Sequence, residues 1–333
     1  MLAVVDTAST YCCLLEAVGH RDGDTWGVHL LDLQRQGFAP ERAIADGGKG
    51  LRCGMRQALP GVPCDADNWH ALRDVGEVAR FLENRAYDAI QAYDKLQRRA
   101  AAPSPEAEAK RSERDAAVAL ADDVALLLSW LRRDVLSLAG PSLSRRLELF
   151  DFVLVELMAR RQQCEHRLGP VCSMLASGQE DLLGFCVRMD VEVADLAGYA
   201  KVSEAVVREM VLVQEMAQTD ARRWRREGAL RKHLGDRYEA LFELVEALRG
   251  GVVRASSVVE NVNSRVRNYL FLRKEVGGDY LDLLRFFLNH RRFLRSEHPQ
   301  RVGKSPAELL SGQAHAHWLE MLGHQLFCPT QAA

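Results

Sequence analysis

A chain of 333 residues that is 47% hydrophobic and 27% charged, with a formal charge of −2, has the material for one large domain or two ordinary ones with a sizeable core. This balance excludes a uniformly basic nucleic-acid binder, but not a local basic surface, because a partner responds to the nearby field. No apolar run approaches bilayer length, and the start Met1-Leu2-Ala3-Val4-Val5-Asp6 lacks a signal peptide's basic n-region, so the expectation is a cytoplasmic protein with no membrane partner. Eight cysteines (Cys12, Cys13, Cys53, Cys64, Cys164, Cys172, Cys186 and Cys328) form no CxxC pair. That spacing argues against zinc and makes most of them small buried hydrophobes in a reducing compartment.

The first seventy residues read as α/β. Leu2–Val5 and Tyr11–Val18 are rich in β formers and separated by the turn-prone Asp6-Thr7-Ala8-Ser9, a hairpin pattern. Asp24 is placed to cap a helix carrying Trp26, Leu30, Leu31 and Leu33, which stops at Gly37 and Pro40. A short strand, 42–45, ends at Asp46-Gly47-Gly48. A second helix aligns Leu51, Met55 and Leu59, and 62–67 forms a last extended piece. From about 71 to 250 only helical periodicities follow. Val75, Leu82 and Ile90 mark one helix, broken at Pro103-Ser104-Pro105. Val124, Leu127, Leu128 and Leu131 mark the next, up to Gly140-Pro141. Leu147, Phe150, Val153, Leu154 and Leu157 mark a third, and 206–216 and 238–248 complete the set. Beyond Gly250-Gly251, a polar helix from Ser256 to Arg267 precedes an apolar one around 281–288 and a basic tail with Arg291, Arg292, Arg295, Arg301 and Lys304. The fold class expected is α/β, mostly α by residue count. Residues 1–70 are a partial α/β core, 71–250 an all-helical insertion, and 251–333 the returning helices of the core with a basic tail.

Three places carry candidate chemistry. Asp46 is expected at the C-terminal end of a parallel strand, the edge where ligands and metals collect in open α/β sheets. The glycines after it allow close approach; the alternative is that Asp46 caps the next helix. Asp67 and His70 stand three apart at a strand-to-helix junction, where they share a face and can hydrogen-bond; a helix cap beside a half-buried histidine is the alternative. Glu260 sits in a helix whose other polar residues are Asn261, Asn263, Ser264, Arg265 and Arg267. Val258, Val259, Val262 and Val266 are left to form a buried stripe beside it; a solvated face is the alternative.

Taken together, Ile44-Ala45-Asp46-Gly47-Gly48-Lys49-Gly50-Leu51, the D-x-x-H of Asp67 to His70, a long helical block, then Ser257-Val258-Val259-Glu260-Asn261-Val262-Asn263-Ser264-Arg265 resemble bacterial insertion-sequence transposases of the DDE type. The ending Gly303-Lys304-Ser305-Pro306-Ala307-Glu308-Leu309-Leu310 is similar to the tail of such enzymes. The resemblance implies an RNase H-like sheet with a helical insertion, and metal-dependent cleavage and transfer of DNA strands. Asp46 and Glu260 would be the second and third catalytic, metal-binding acids, and Asp67 and His70 an accessory element. Mg²⁺ (or Mn²⁺) is the implied cofactor, since paired hard cations about 3.5–4 Å apart serve such displacements at phosphorus. Transposon ends and target DNA are the implied partners, with a homo-oligomer as the acting form. Arg265, Arg267, Arg273 and Lys274 would hold phosphates. Trp69 or Trp224 is a candidate to stack on a flipped base, with buried packing the expected role of each.

The first acid is the weak point. Asp6 is the only early candidate, and one strand too few separates it from the first helix. The simpler alignment makes 2–5 the second strand and places the first, with its aspartate, ahead of Met1, which describes a truncated and inactive remnant. A non-catalytic DNA-binding or regulatory protein descended from a transposase is the rival, and a helical scaffold is the least specific reading.

Overall fold

The computed structural model describes residues 1–45, 47–99, 104–252, 257–270, 277–296 and 298–324; Asp46, Arg273 and Lys274 lie outside them. In chain order the strands and helices are β1 (Leu2–Val5), β2 (Cys12–Glu16), α1 (Gly23–Arg35), β3 (Ala43–Ala45), α2 (Lys49–Ala58), β4 (Cys64–Ala66), α3 (Asn68–Arg99), α4 (Pro105–Trp130), α5 (Leu143–Arg160), α6 (Glu165–Ala200), α7 (Glu204–Glu215), α8 (Ala221–Leu234), α9 (Tyr238–Gly251), α10 (Ser257–Leu270), α11 (Gly278–His290), α12 (Pro306–Ser311) and α13 (Trp318–Met321). The structure is mostly helical, 74%, and its described residues hold two small sheets. It divides into two compact units. One joins Met1–Cys64 to Ser256–Ala333, and the other is Asp65–Ala255.

In the first unit β1 and β2 pair antiparallel, with an irregularity between Val4 and Val5. The linking turn is tied by Asp6, whose N–H donates to the Tyr11 carbonyl and whose carbonyl accepts from the Thr10 N–H. Alternation along the strands, reset where Cys13 is the extra residue at that irregularity, splits the hairpin into two apolar faces. Leu2 and Leu14 pack with Trp26, Leu30 and Leu33 of α1 and with Met55 and Ala58 of α2. Cys12 and Leu15 pack with Val262 and Val266 of α10 and Leu281 and Leu284 of α11. Each buried leucine contributes roughly 1.5–3 kcal/mol. The edge of β2 is closed by a side chain. Asn289, 3% exposed, accepts from the Cys12 N–H at 2.8 Å and donates to the Cys12 carbonyl at 3.0 Å. β3 and β4 form a second two-stranded sheet, and the chain passes between the units within β4.

Helices α1 and α2 touch through glycines. A Cβ on Gly54 would lie 2.5 Å from the Trp26 Cβ, one on Gly23 2.7 Å from the Cys53 Sγ, and one on Gly50 1.9 Å from the Arg21 carbonyl oxygen. The spacing of Gly23 to Gly27 and of Gly50 to Gly54 is the small-x-x-x-small pattern that lets two helix backbones approach. The cap of α1 is Asp22, which accepts from the Thr25 N–H at 2.8 Å; Asp24 instead lies inside the first turn. Leu31 faces outward, because the buried stripe is Trp26, Gly27, Leu30 and Leu33.

The unit ends in a tight clamp. Ser305 caps α12 in a reciprocal box with Glu308. The Glu308 carboxylate accepts from Arg292 at 2.7 Å, from the Ser305 N–H at 2.9 Å and from the His315 N–H at 3.2 Å. Burial pushes the Glu308 pKa up, but the Arg292 hydrogen bonds, the two backbone N–H groups and the Arg292 charge outweigh it and bring it down to about 2 from an ordinary 4.5.

Past the end of β4 the regular elements described in the second unit are all helical, with one core drawn from all seven helices α3 to α9. The last turn of α4 widens into a π-helical turn, Leu131–Val135. The carbonyl of its last residue, Val135, and those of the loop that follows converge on Arg146 of α5, which is 1% exposed. The guanidinium donates from Nη1 to the Val135 and Ser137 carbonyls, both at 2.5 Å, from Nε to Pro141 at 2.6 Å and from Nη2 to Leu138 at 3.2 Å. Gly140 makes the room, since a Cβ there would come 2.6 Å from the Arg146 Cζ. Helix α6 covers a stretch to which periodicity assigned no element. It continues through Pro170 because Leu168, Cys172, Leu175, Leu182, Phe185 and Met189 are all buried along it.

Two outcomes are expected. Arg146→Met, which strands buried carbonyls, lowers the unfolding free energy by about 3 kcal/mol, measured by urea denaturation. The Glu308 contribution is present above its unfolded pKa and is lost as pH falls toward about 2. Denaturation midpoints should therefore drop between pH ~5 and ~3 more steeply in the parent than in Glu308→Gln.

Candidate functional site

β3 leads the chain into Asp46, which lies outside the described residues, and α2 begins three residues later. Its N-cap is Gly48, with no side-chain cap bond. The capping position of α2 is thus held by a glycine. Gly50, further along the same glycine-rich stretch, serves the approach of α2 to Arg21.

Glu260 stands exposed in the first turn of α10, where the positive end of the helix dipole favours a carboxylate. Val262 and Val266 are buried and Val258 and Val259 half-buried, so the stripe read from spacing holds α10 to the hairpin. Ser264 and Arg267 are exposed. The Arg265 guanidinium lies 6.0 Å from the Phe293 ring; burial first, then the Arg291 charge, push its pKa down. Asp6 has a turn-forming job, with its Oδ2 accepting from the Ser9 N–H at 2.7 Å and from the Ser9 hydroxyl.

The Asp67–His70 element belongs to the helical unit. Asp67 precedes α3 and is 3% exposed. Its Oδ1 accepts from the Trp69 N–H at 2.8 Å and the His70 N–H at 3.3 Å, while Oδ2 lies 2.9 Å from His70 Nδ1. The two readings of this spacing therefore coexist, because one carboxylate oxygen caps the helix and the other orients the imidazole. Asp65 and Asn68, which sequence reasoning passed over, are also buried here. Gly184 of α6 gives Asp65 its space, since a Cβ there would meet Asp65 Oδ1 at 2.4 Å. Neither polar side-chain atom of Asn68 has a hydrogen-bond partner among the described residues. The only sequence signal for these two is polarity at a strand end and a helix start.

The tryptophans correct an expectation. Trp69 is 50% and Trp224 64% exposed, so neither is a buried packing residue. Trp69 falls off the Ala71, Val75, Val78 and Leu82 stripe of α3. It meets the His70 ring edge-on at 5.0 Å, with the Arg73 Cζ 5.1 Å away. Trp224 lies on a helix whose only buried residues are Leu230 and Leu234. Of the seven described cysteines, Cys12, Cys164, Cys172 and Cys186 are buried; burial pushes the Cys12 thiol up to about 12 and Cys13 to about 11.

Among the described residues no set of three His, Cys, Asp or Glu side chains is arranged to hold a metal ion, and no helix is long and apolar enough to cross a membrane. Comparison of the chain with protein-family models, curated proteins and solved structures finds no significant match.

Asp67→Ala should lower the unfolding free energy of the helical unit by about 1–2 kcal/mol through loss of the α3 cap. Asp67→Asn, which keeps an acceptor, should cost less. Thermal unfolding of the two variants checks the order.

Proposed function

We propose that this chain is a DDE-type DNA transposase by descent, with an RNase H-like core that handles DNA strands through carboxylate-bound metal. The observation that carries the reading is the order of parts. The first unit is interrupted between the strand leading to Asp46 and the helix bearing Glu260, and the interrupting helical unit opens on the Asp67–His70 pair. That is the arrangement the sequence motifs imply.

The sheets add support. β1–β2 and β3–β4 are separate pairs, yet Leu2 and Leu14 of the first share a core with Ala43 and Cys64 of the second. An RNase H-like sheet would place a central strand between such pairs, carrying the first acid. Asp6, engaged by Ser9, is better accounted for by the turn than by that role. In this reading Asp46 and Glu260 hold Mg²⁺ (or Mn²⁺), which when bound would activate the attacking oxygen and stabilise the leaving one. Arg265 and Arg267, with Arg273 and Lys274, hold phosphates of transposon ends and target, and the chain acts as a homo-oligomer. Asp67 orients His70 beside the first turn of α3.

A second reading, a non-catalytic DNA-binding or regulatory descendant, is favoured by the missing central strand among the described elements. Calorimetric titration with Mn²⁺ tests the first. Asp46→Ala and Glu260→Ala should each weaken binding tenfold or more, and Asp6→Asn should leave it unchanged. Equal binding by all three variants removes the metal role. Metal-independent DNA binding without cleavage of supercoiled plasmid then selects the second reading.

A further inference from the structure

Helix α8 has the sequence Ala-Arg-Arg-Trp-Arg-Arg-Glu-Gly-Ala-Leu-Arg-Lys-His-Leu, and of its fourteen residues only Leu230 and Leu234 are buried. So little core contact leaves the composition of the rest unexplained by packing. Six of the residues are Arg or Lys and one is Glu.

Most of these cations are occupied within the unit. Arg222 pairs with Asp220 at 2.8 Å, Arg226 with Glu209 at 2.7 Å, Arg223 with Glu227 at 3.7 Å, and Arg231 with Glu227 and Glu239 at 2.9 and 2.5 Å. Arg225 meets the Asp220 charge only at longer range, as one of the cations around it. Arg225 and Lys232 form no direct ion pair among the described residues. They are not scattered. Ala221, Trp224, Arg225, Gly228 and Lys232 follow the i, i+3, i+4, i+7, i+11 spacing of one helix face, and all five are exposed. Leu230 and Leu234 occupy the opposite face. Arg225 and Lys232 are two turns apart, about 10.5 Å along the axis. Between them Gly228 offers no side-chain bulk, and Ala221 adds little ahead of Trp224. At one end stands the Trp224 indole, 64% exposed and fixed by its Nε1–H, which donates to the Gln218 carbonyl at 3.0 Å.

Two unpaired cations, a low saddle and a pre-oriented aromatic face on one stripe match a chain that alternates anionic groups with flat rings. We infer that this face of α8 binds nucleic acid with unpaired bases, Arg225 and Lys232 holding backbone phosphates while a base stacks on Trp224. An acidic peptide would use the cations but not the indole. Neighbouring Arg222 and Arg226 can join, because exposed ion pairs are worth little and exchange readily for a phosphate. The inference stands on α8 alone and needs no metal chemistry. It lies in the helical unit, apart from the Arg265 and Arg267 surface assigned above.

Fluorescence anisotropy with the full chain tests it, using a labelled 20-nucleotide single strand, its duplex, and a polyglutamate competitor. Arg225→Glu/Lys232→Glu should weaken single-strand binding at least tenfold and lower the salt slope by about 1.4. Trp224→Ala should weaken single-strand binding roughly tenfold and duplex binding much less. These residues are exposed, so thermal unfolding of the variants should match the parent. Parent-like affinity in both variants overturns the inference, as does competition by polyglutamate equal to that of unlabelled oligonucleotide. Loss of binding only in Arg265→Glu/Arg267→Glu would also overturn it, while leaving the transposase reading in place.

Discussion

A two-stranded hairpin has two faces to bury and cannot stand in water on its own. In this protein that constraint organises the whole first unit. Leu2 and Leu14 need the α1–α2 layer, and Cys12 and Leu15 need α10 and α11. The first layer is supplied by the next forty residues. The second arrives only after the helical unit has been inserted and closed. Asn289 joins the two ends more directly still, as an amide that completes the hydrogen bonding of Cys12 in place of another strand. Because a bare strand edge invites pairing with other chains, this one side chain both anchors α11 and blocks growth of the sheet on that side.

Local signals made part of this legible. β1 and β2 were readable because β-forming residues flank a turn sequence, and the valine stripe of α10 because four valines recur at helical spacing. The caps were less so. Asp22 and Asp24 are equally good cap residues, and only the extended backbone at Asp22 decides between them. Helix α6 was legible only as part of an all-helical block, not as an element of its own. Gly169, Pro170, Gly178 and Gly184 each argue locally against a helix, and burial of its apolar side chains in a shared core overrides them. The π-helical turn and its buried arginine were also invisible, since Arg146 reads as one more surface cation until the carbonyls around it are known.

The candidate site was legible as an order of motifs rather than as geometry. The Asp67 and His70 spacing announced a pairing that the structure makes at 2.9 Å, but it could not say that the same carboxylate also caps α3. Glycines proved the least readable residues. Those after Asp46 suggest room for a ligand, whereas Gly50 serves a helix crossing and Gly184 admits Asp65. Exposure of the tryptophans was equally hidden, because a lone aromatic in a charged helix looks like a core residue until the core is seen to end at Leu230 and Leu234.

The discontinuity of the first unit also sets a timetable for synthesis. The ribosome releases the hairpin before the helices that cover its second face, with Asp65–Ala255 in between. At roughly 5–20 residues per second, that intervening stretch takes on the order of ten to forty seconds to emerge. At the end of that interval the helical unit has every helix of its own core, while Cys12 and Leu15 still lack α10 and α11. The nascent chain therefore carries a complete helical core and an incomplete first unit together.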